Sequence, residues 1–200
     1  SIAFSPDFGT MYFTYCPVDA QFARPAQIMK SGRSDAAWGA ATPYIAESND
    51  TLNSYAHPAI SPDGEWIYFV SDMPGGYGGL DLWRVEMGGR FIGAENLGPD
   101  INTSGNEMFP TFRRNGELYF SSDGHNGLGG QDIFRSVRAN NNTWSQPENL
   151  GYPINTHGDE SGFVINGLGN KAYFASDKLE NKSKIIIITI IIVTIRKNND

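Results

Sequence analysis

Cysteine is nearly absent from this 200-residue chain. Cys16 stands alone, so no intrachain disulfide can form and a disulfide-stapled scaffold is excluded. Basic charge is also short: 15 Lys and Arg against 22 Asp and Glu leave a net charge of −7. That balance lacks the clustered positive charge that a nucleic-acid partner needs, so none is expected. Only three histidines occur, His57, His125 and His157, and no paired His or Cys gives ligand spacing, so no zinc site is expected. No Gly-x-Ser-x-Gly elbow is present, and no Ser, His and Asp can be assigned to a triad. Helical periodicity is missing throughout. The longest apolar run, Ile185 to Ile195, has 11 residues. A membrane-spanning helix needs about 20, so no transmembrane span is expected. The opening Ser1-Ile2-Ala3-Phe4 has no Met, charged region or apolar region of a signal peptide, and none is expected within these residues.

What the chain has is repetition. A turn followed by a strand carrying Tyr-Phe occurs at Tyr12-Phe13, Tyr68-Phe69, Tyr119-Phe120 and Tyr173-Phe174, at spacings of 56, 51 and 54 residues. Ser5-Pro6-Asp7-Phe8-Gly9 precedes one copy and Ser61-Pro62-Asp63-Gly64 another. Ser71-Asp72, Ser122-Asp123 and Ser176-Asp177 close the later strands. Gly75-Gly76-Tyr77-Gly78-Gly79-Leu80-Asp81-Leu82-Trp83-Arg84 returns as Gly127-Leu128-Gly129-Gly130-Gln131-Asp132-Ile133-Phe134-Arg135. Asn96-Leu97-Gly98-Pro99-Asp100-Ile101-Asn102-Thr103 returns as Asn149-Leu150-Gly151-Tyr152-Pro153-Ile154-Asn155-Thr156, followed by Glu107 and Glu160 respectively. Such periods mark stacked supersecondary units that cannot bury their apolar faces alone.

With the two-residue period of a strand, Trp66, Tyr68 and Val70 fall on one face and Ile67 and Phe69 on the other. Both faces are apolar, so each sheet needs a packing layer on either side. Pro62, Asp63 and Gly64 suit the second to fourth places of a type I turn, and Arg114-Asn115-Gly116-Glu117 serves the same purpose. The glycine clusters are expected to supply positive φ in the next reversal. Third strands follow at Asp81 to Val85 and Asp132 to Val137, and outer strands near Phe91 to Leu97, Trp144 to Leu150 and Trp38 to Ile45.

Four short antiparallel strands in about 50 residues match one blade of a β-propeller. The fold class expected is all-β: an incomplete β-propeller of about three and a half four-stranded antiparallel blades over residues 1–177. The blades lie near 1–50, 55–100, 107–150 and 160–177, the last stopping after its second strand. Residues 178–200 form an anomalous Ile-rich tail, where motif and composition change together. That change points to an out-of-frame or truncated gene end rather than propeller sequence. Such a flat β-branched run is also an aggregation hazard.

These phrases resemble the TolB class of Pro-Asp, WD-like propeller repeats. The resemblance is strongest to the versions that precede OmpA-like peptidoglycan-binding domains in Gram-negative envelope proteins. It covers Ser54 to Asp177 well and Ser1 to Asn53 loosely, since the first blade has Pro17-Val18-Asp19-Ala20 in place of the glycine phrase. It implies a noncatalytic scaffold, periplasmic or outer-membrane-associated, that meets envelope proteins or peptidoglycan-associated partners. Two other readings stand beside it: the substrate-gating propeller of a prolyl-oligopeptidase-like serine hydrolase, and a propeller that binds glycan or peptidoglycan. An incomplete ring is further expected to self-associate through its uncovered faces.

No cofactor is expected. The glycines of Gly127 to Asp132 lack the nine-residue recurrence of a calcium β-roll. Pro62, Asp63, Gly64, Asp72, Asp81, Asn115, Gly116, Asp123, Asp132 and Asp177 recur once per blade, which suits turns and caps rather than a unique catalytic centre. For Asn102, Glu107, Asn155 and Glu160 two roles stand open. They line one mouth of the ring as ligand contacts, or they satisfy backbone groups within turns.

Overall fold

A computed structural model of the chain describes residues 1–17, 25–44, 52–88, 93–139 and 143–177, together with the backbone of 189–194. The strands fall into four antiparallel sheets, taken in chain order. The first holds β1 (Ile2–Phe4), β2 (Thr10–Tyr15), β3 (Gln27–Ser34), β4 (Ala37–Trp38) and β5 (Thr42–Pro43). The second holds β6 (Tyr55–Ile60), β7 (Trp66–Ser71), β8 (Asp81–Glu86) and β9 (Glu95–Asn96). The third holds β10 (Glu107–Phe112), β11 (Leu118–Ser122), β12 (Asp132–Ser136) and β13 (Glu148–Asn149). The fourth holds β14 (Glu160–Ile165), β15 (Lys171–Ser176) and β16 (Thr189–Thr194). The first strands β1, β6, β10 and β14 lie against one another in succession, as the inner strands of radially arranged blades do.

Local chemistry sets the first hairpin of each sheet. One backbone hydrogen bond closes each turn: the N–H groups of Phe8, Gly64, Gly116 and Gly169 donate to the carbonyls of Ser5, Ser61, Arg113 and Asn166 at 2.8–2.9 Å. The donor residue has a positive φ each time, 56°, 76°, 87° and 68°, and three of the four are glycine because that region is nearly free only to Gly. Asp63 accepts from the Ser61 hydroxyl and from the Glu65 N–H at 2.9 Å. The bond from Ser61 is the main cause that holds its carboxyl below the usual range. In the third sheet the turn begins at Arg113, one residue earlier than the Asn115-Gly116 chemistry suggested.

Packing explains the repeated dipeptide. Neighbouring residues of a strand point to opposite faces, so each Tyr-Phe serves two interfaces. Tyr12 packs forward with Ile67, Phe69 and Trp83 of the second sheet. Tyr68 packs forward with Leu118, Phe120 and Phe134 of the third. Tyr119 packs forward with Phe163, Ala172 and Phe174 of the fourth. The tyrosine thus meets the next sheet and the phenylalanine meets the previous one. Phe69, Phe120 and Phe174 are at most 2% exposed, whereas Tyr173 is 37% exposed because no described side chain covers its forward face.

Three expectations need correction. The glycine phrases are needed for close approach: of their glycines only Gly75 has positive φ. A Cβ on Gly78 would collide with the carbonyl oxygens of Thr103 and Gly105, and one on Gly129 with those of Thr156 and Gly158. The outer strands β9 and β13 are two-residue pairings among the described residues, shorter than the segments expected, and Phe91 and Ile92 of the first segment lie outside the described residues. The fourth sheet does not stop after its second strand. Thr189 to Thr194 pairs antiparallel with β15 from Ser176 to Lys171, because β-branched residues suit the open edge that β15 offers. The rest of the tail lies outside the described residues.

Candidate functional site

The recurrent polar residues come together in two equivalent clasps. Asn102 is 2% exposed: its Oδ1 accepts from the Leu82 N–H at 2.8 Å, while its Nδ2 donates to the Leu82 carbonyl at 2.9 Å and to Asn96 Oδ1 at 2.8 Å. The amide side chain extends the ladder of β8 as a strand residue would. Asn155 repeats this with Ile133 and Asn149 and is fully buried. Glu107, also fully buried, accepts from the Thr103 N–H (2.8 Å), the Thr103 hydroxyl (2.7 Å) and the Ser122 hydroxyl (2.6 Å). Glu160 does the same with Thr156 and Ser176.

These four residues therefore do not line a mouth as ligand contacts. Burial and a full set of internal partners consume their polar atoms, and each clasp ties one sheet to the next. The aspartates that close the second strands are exposed but also occupied. Asp72, Asp123 and Asp177 accept from the N–H groups of Ser54, Asn106 and Asp159 at 2.6 Å each, fixing the approach to each inner strand. Asp81 and Asp132 collect the amide N–H groups of the glycine phrases, Tyr77 and Gly78 for one, Leu128 and Gly129 for the other. Among the described residues, no three His, Cys, Asp or Glu gather as a metal centre.

A groove among the described residues runs over the inner strands. It has a volume of about 650 Å³ and is lined chiefly by Phe4, Phe8, Pro58, Phe109, Phe112 and Val164. At one end it meets the hairpin turns, where Arg113 and Arg114 add positive charge. Three inner strands carry a β-bulge at equivalent places, between Ala56 and Ala59, Met108 and Thr111, and Ser161 and Val164. At each bulge one residue has positive φ: His57 at 50°, Phe109 at 53° and Gly162 at 68°. Such conformations cost a non-glycine residue about 1–3 kcal/mol and collect where a backbone is being re-aimed.

His57 lies inside β6. Its N–H donates to Thr14 Oγ1 at 2.9 Å, its Nδ1 accepts from the Phe109 N–H at 3.3 Å, and its ring stacks on Phe109 with centroids 3.9 Å apart. Burial lowers its pKa to about 4. The neutral ring is the form that accepts the Phe109 hydrogen bond. A base with a depressed folded pKa stabilises the fold above its unfolded pKa of about 6.5, and that stability falls as pH drops towards 4. The His57→Phe variant is therefore expected to lose less stability than wild type between pH 7 and pH 5, measured as the shift in urea midpoint. Equal shifts would show that His57 titrates in the fold as it does in the unfolded chain, without a depressed pKa.

The bulges carry a signal that sequence reasoning passed over. His57-Pro58 and Phe109-Pro110 stand 52 residues apart within strands, and proline inside a strand marks a bulge or an edge.

No family profile and no curated protein matches the sequence. Solved structures do match. TolB from Acinetobacter baumannii superposes with a TM-score of 0.55 at 15% identity, over 97% of this chain and 42% of that one. The fold is that of a β-propeller, as in TolB. A puromycin-hydrolysing peptidase from Mycobacterium tuberculosis is similar at TM-score 0.54 and 17% identity, over 97% of this chain and 27% of the peptidase. A prolyl endopeptidase gives 0.52 and 15%, over 88% and 23%. The chain spans less than half the length of each, and at these identities the likeness is one of fold. The groove lies over the adjacent inner strands β1, β6, β10 and β14. No helix among the described residues is long and apolar enough to cross a membrane.

Proposed function

We propose that this chain is a noncatalytic propeller segment that presents its inner-strand groove to a partner protein in the bacterial envelope. One observation carries the reading. The recurrent Asn, Glu, Ser and Asp hold internal hydrogen bonds, with Asp132 Oδ1 the one buried oxygen among them without a partner among the described residues, while the concave groove is aromatic and apolar, with Phe4 41% and Phe8 59% exposed. Exposed apolar surface of that kind serves contact rather than bond-breaking. The OmpA-like neighbourhood, the periplasmic or outer-membrane setting and peptidoglycan-associated partners belong to this reading through the repeat phrases alone.

A photo-reactive phenylalanine analogue at Phe8, in the parent protein expressed in Gram-negative cells, tests it. The expected result is a discrete adduct with an envelope protein that disappears when Phe4 is replaced by Asp. Loss of the adduct, together with prolyl-peptide hydrolysis by the parent protein, would instead make the groove a gate to a hydrolase. Sedimentation of the segment with purified sacculi, unaffected by Phe4→Asp, would move the reading to glycan binding.

A further inference from the structure

We propose that a pocket between the second and third sheets, on the side of their hairpin turns, binds a small aromatic carboxylate. Two equivalent arginines differ there by one acidic partner. Arg135 pairs with Tyr119 across β11 and β12 and is held by two carboxylates. Its Nε and Nη2 donate to Glu117 Oε1 at 3.0 and 2.6 Å, and its Nη1 donates to Glu148 Oε2 at 3.0 Å. The other oxygen of Glu117 accepts from the Tyr119 hydroxyl at 3.0 Å. Arg84 pairs with Tyr68 at the same place in the second sheet. Its Nε and Nη2 donate to Glu95 Oε2 at 2.9 and 2.7 Å, but its Nη1 is buried without a partner among the described residues. The difference is written in the sequence. Glu117 stands two residues before Tyr119, whereas Trp66 stands two residues before Tyr68. Trp66 gives Arg84 the face of its ring, with Cζ 4.2 Å from the centroid, and no acceptor oxygen. The Tyr68 hydroxyl likewise donates to no acceptor among the described residues.

Tyr68 helps to line a pocket of about 280 Å³ whose walls include Asp63, Phe112, Arg114, Arg138 and Trp144. The rings of Tyr68 and Phe112 lie 4.6 Å apart, those of Tyr68 and Trp144 6.2 Å, and those of Phe112 and Trp144 6.4 Å. Such walls suit the flat body of an aromatic ligand, and the volume limits it to about one ring with a short acid arm. Two arginines against one aspartate leave the lining positive, and the Asp63 carboxylate is engaged by the Ser61 hydroxyl and the Glu65 N–H. Burial raises the Tyr68 pKa and the neighbouring Arg84 offsets this only in part, so the hydroxyl remains a donor. A ligand carboxylate that accepts from Tyr68 and faces Arg114 and Arg138 would give the second sheet what Glu117 gives the third. Arg114 borders both this pocket and the end of the groove, but the inference does not depend on what the groove binds.

Isothermal titration of the 200-residue chain with phenylacetate tests it. Saturable binding is expected, with the neutral analogue phenylacetamide weaker by about tenfold or more. Tyr68→Phe and Arg114→Gln should each weaken phenylacetate about tenfold, while Arg33→Gln, at an exposed arginine of the first sheet, should leave its affinity unchanged. Trp66→Glu supplies from within the chain the carboxylate that the third sheet has, so it should abolish phenylacetate binding, whereas Trp66→Gln should retain it. Absence of saturable binding, equal affinity for the amide, or loss alike in folded Trp66→Glu and Trp66→Gln would overturn the proposal. Affinity unchanged in Arg114→Gln would overturn it even if circular dichroism shows that the Tyr68 or Trp66 variants fail to fold, because Arg114 is exposed and lies outside the core.

Discussion

Replacing Glu107 with alanine is expected to destabilise the protein by about 3–5 kcal/mol, a large share of the stability of an ordinary domain. The carboxylate is fully buried and takes three hydrogen bonds from Thr103 and Ser122. Bonds to a charged acceptor contribute about 1.5–3 kcal/mol each, and removing the acceptor leaves its donors buried without partners. Geometry adds to the cost. Thr103 follows Asn102, which grips the backbone of β8, so losing the carboxylate frees the loop that joins the second and third sheets. Glu107→Gln keeps the shape but replaces one acceptor oxygen with a donor that faces hydroxyls, and its effect should fall between alanine and wild type. Urea midpoints measure both. A loss below about 1 kcal/mol for Glu107→Ala would mean that the clasp is not structural, and would return Glu107 to the rim role first open to it.

The second sheet supplies an internal comparison. The residue that pairs with the closing serine is Glu107 opposite Ser122 and Glu160 opposite Ser176, but Tyr55 opposite Ser71. Among the described residues, no carboxylate stands opposite the closing serine where the first sheet joins the second. This fits the loose agreement of the first 53 residues with the repeat phrases.

Much of the fold was legible because it is written locally and several times. Turn chemistry at Pro62-Asp63-Gly64, two-sided apolar alternation at Trp66 to Val70 and a recurrence of about 50 residues identify stacked four-stranded sheets without any long-range information. The roles of Asn102 and Glu107 were less legible, since a polar residue in a loop reads alike whether it faces solvent or turns inward. Only the positions of β8 and β11, brought close by the fold, show that the donors and acceptors are matched. The glycine phrases misled in a similar way. The sequence shows that a side chain is excluded, whereas the carbonyl oxygens that exclude it at Gly78 and Gly129 belong to a loop about 25 residues further on. The third strand of the fourth sheet was missed because it lacks the repeat's words and satisfies only its backbone requirement.

The second large effect tests the two-sided use of the dipeptide. Phe120→Ala is expected to cost about 3–5 kcal/mol, the usual range for emptying a buried aromatic position. Phe120 is 1% exposed and lies in the seam with Tyr68, Val70 and Leu82 of the preceding sheet. Phe69→Ala, at 0% exposure in the seam before it, should cost about as much. Phe13 likewise follows a tyrosine in the second strand of its sheet and faces backward, but no described sheet covers it there and it remains half-buried. Phe13→Ala should therefore cost only about 1 kcal/mol in a monomeric sample. Tyrosine reverses the asymmetry: Tyr12→Ala, at the first internal seam, should be severe, and Tyr173→Ala, on the open forward face, mild. Thermal melts of these five variants under dilute conditions, where self-association is suppressed, decide the matter. Equal losses at Phe13 and Phe120 would mean that stability resides within single sheets and not in the seams between them. The predicted ordering would show that each blade is held by its neighbours, so that an uncovered face is an unsatisfied half of the same interface.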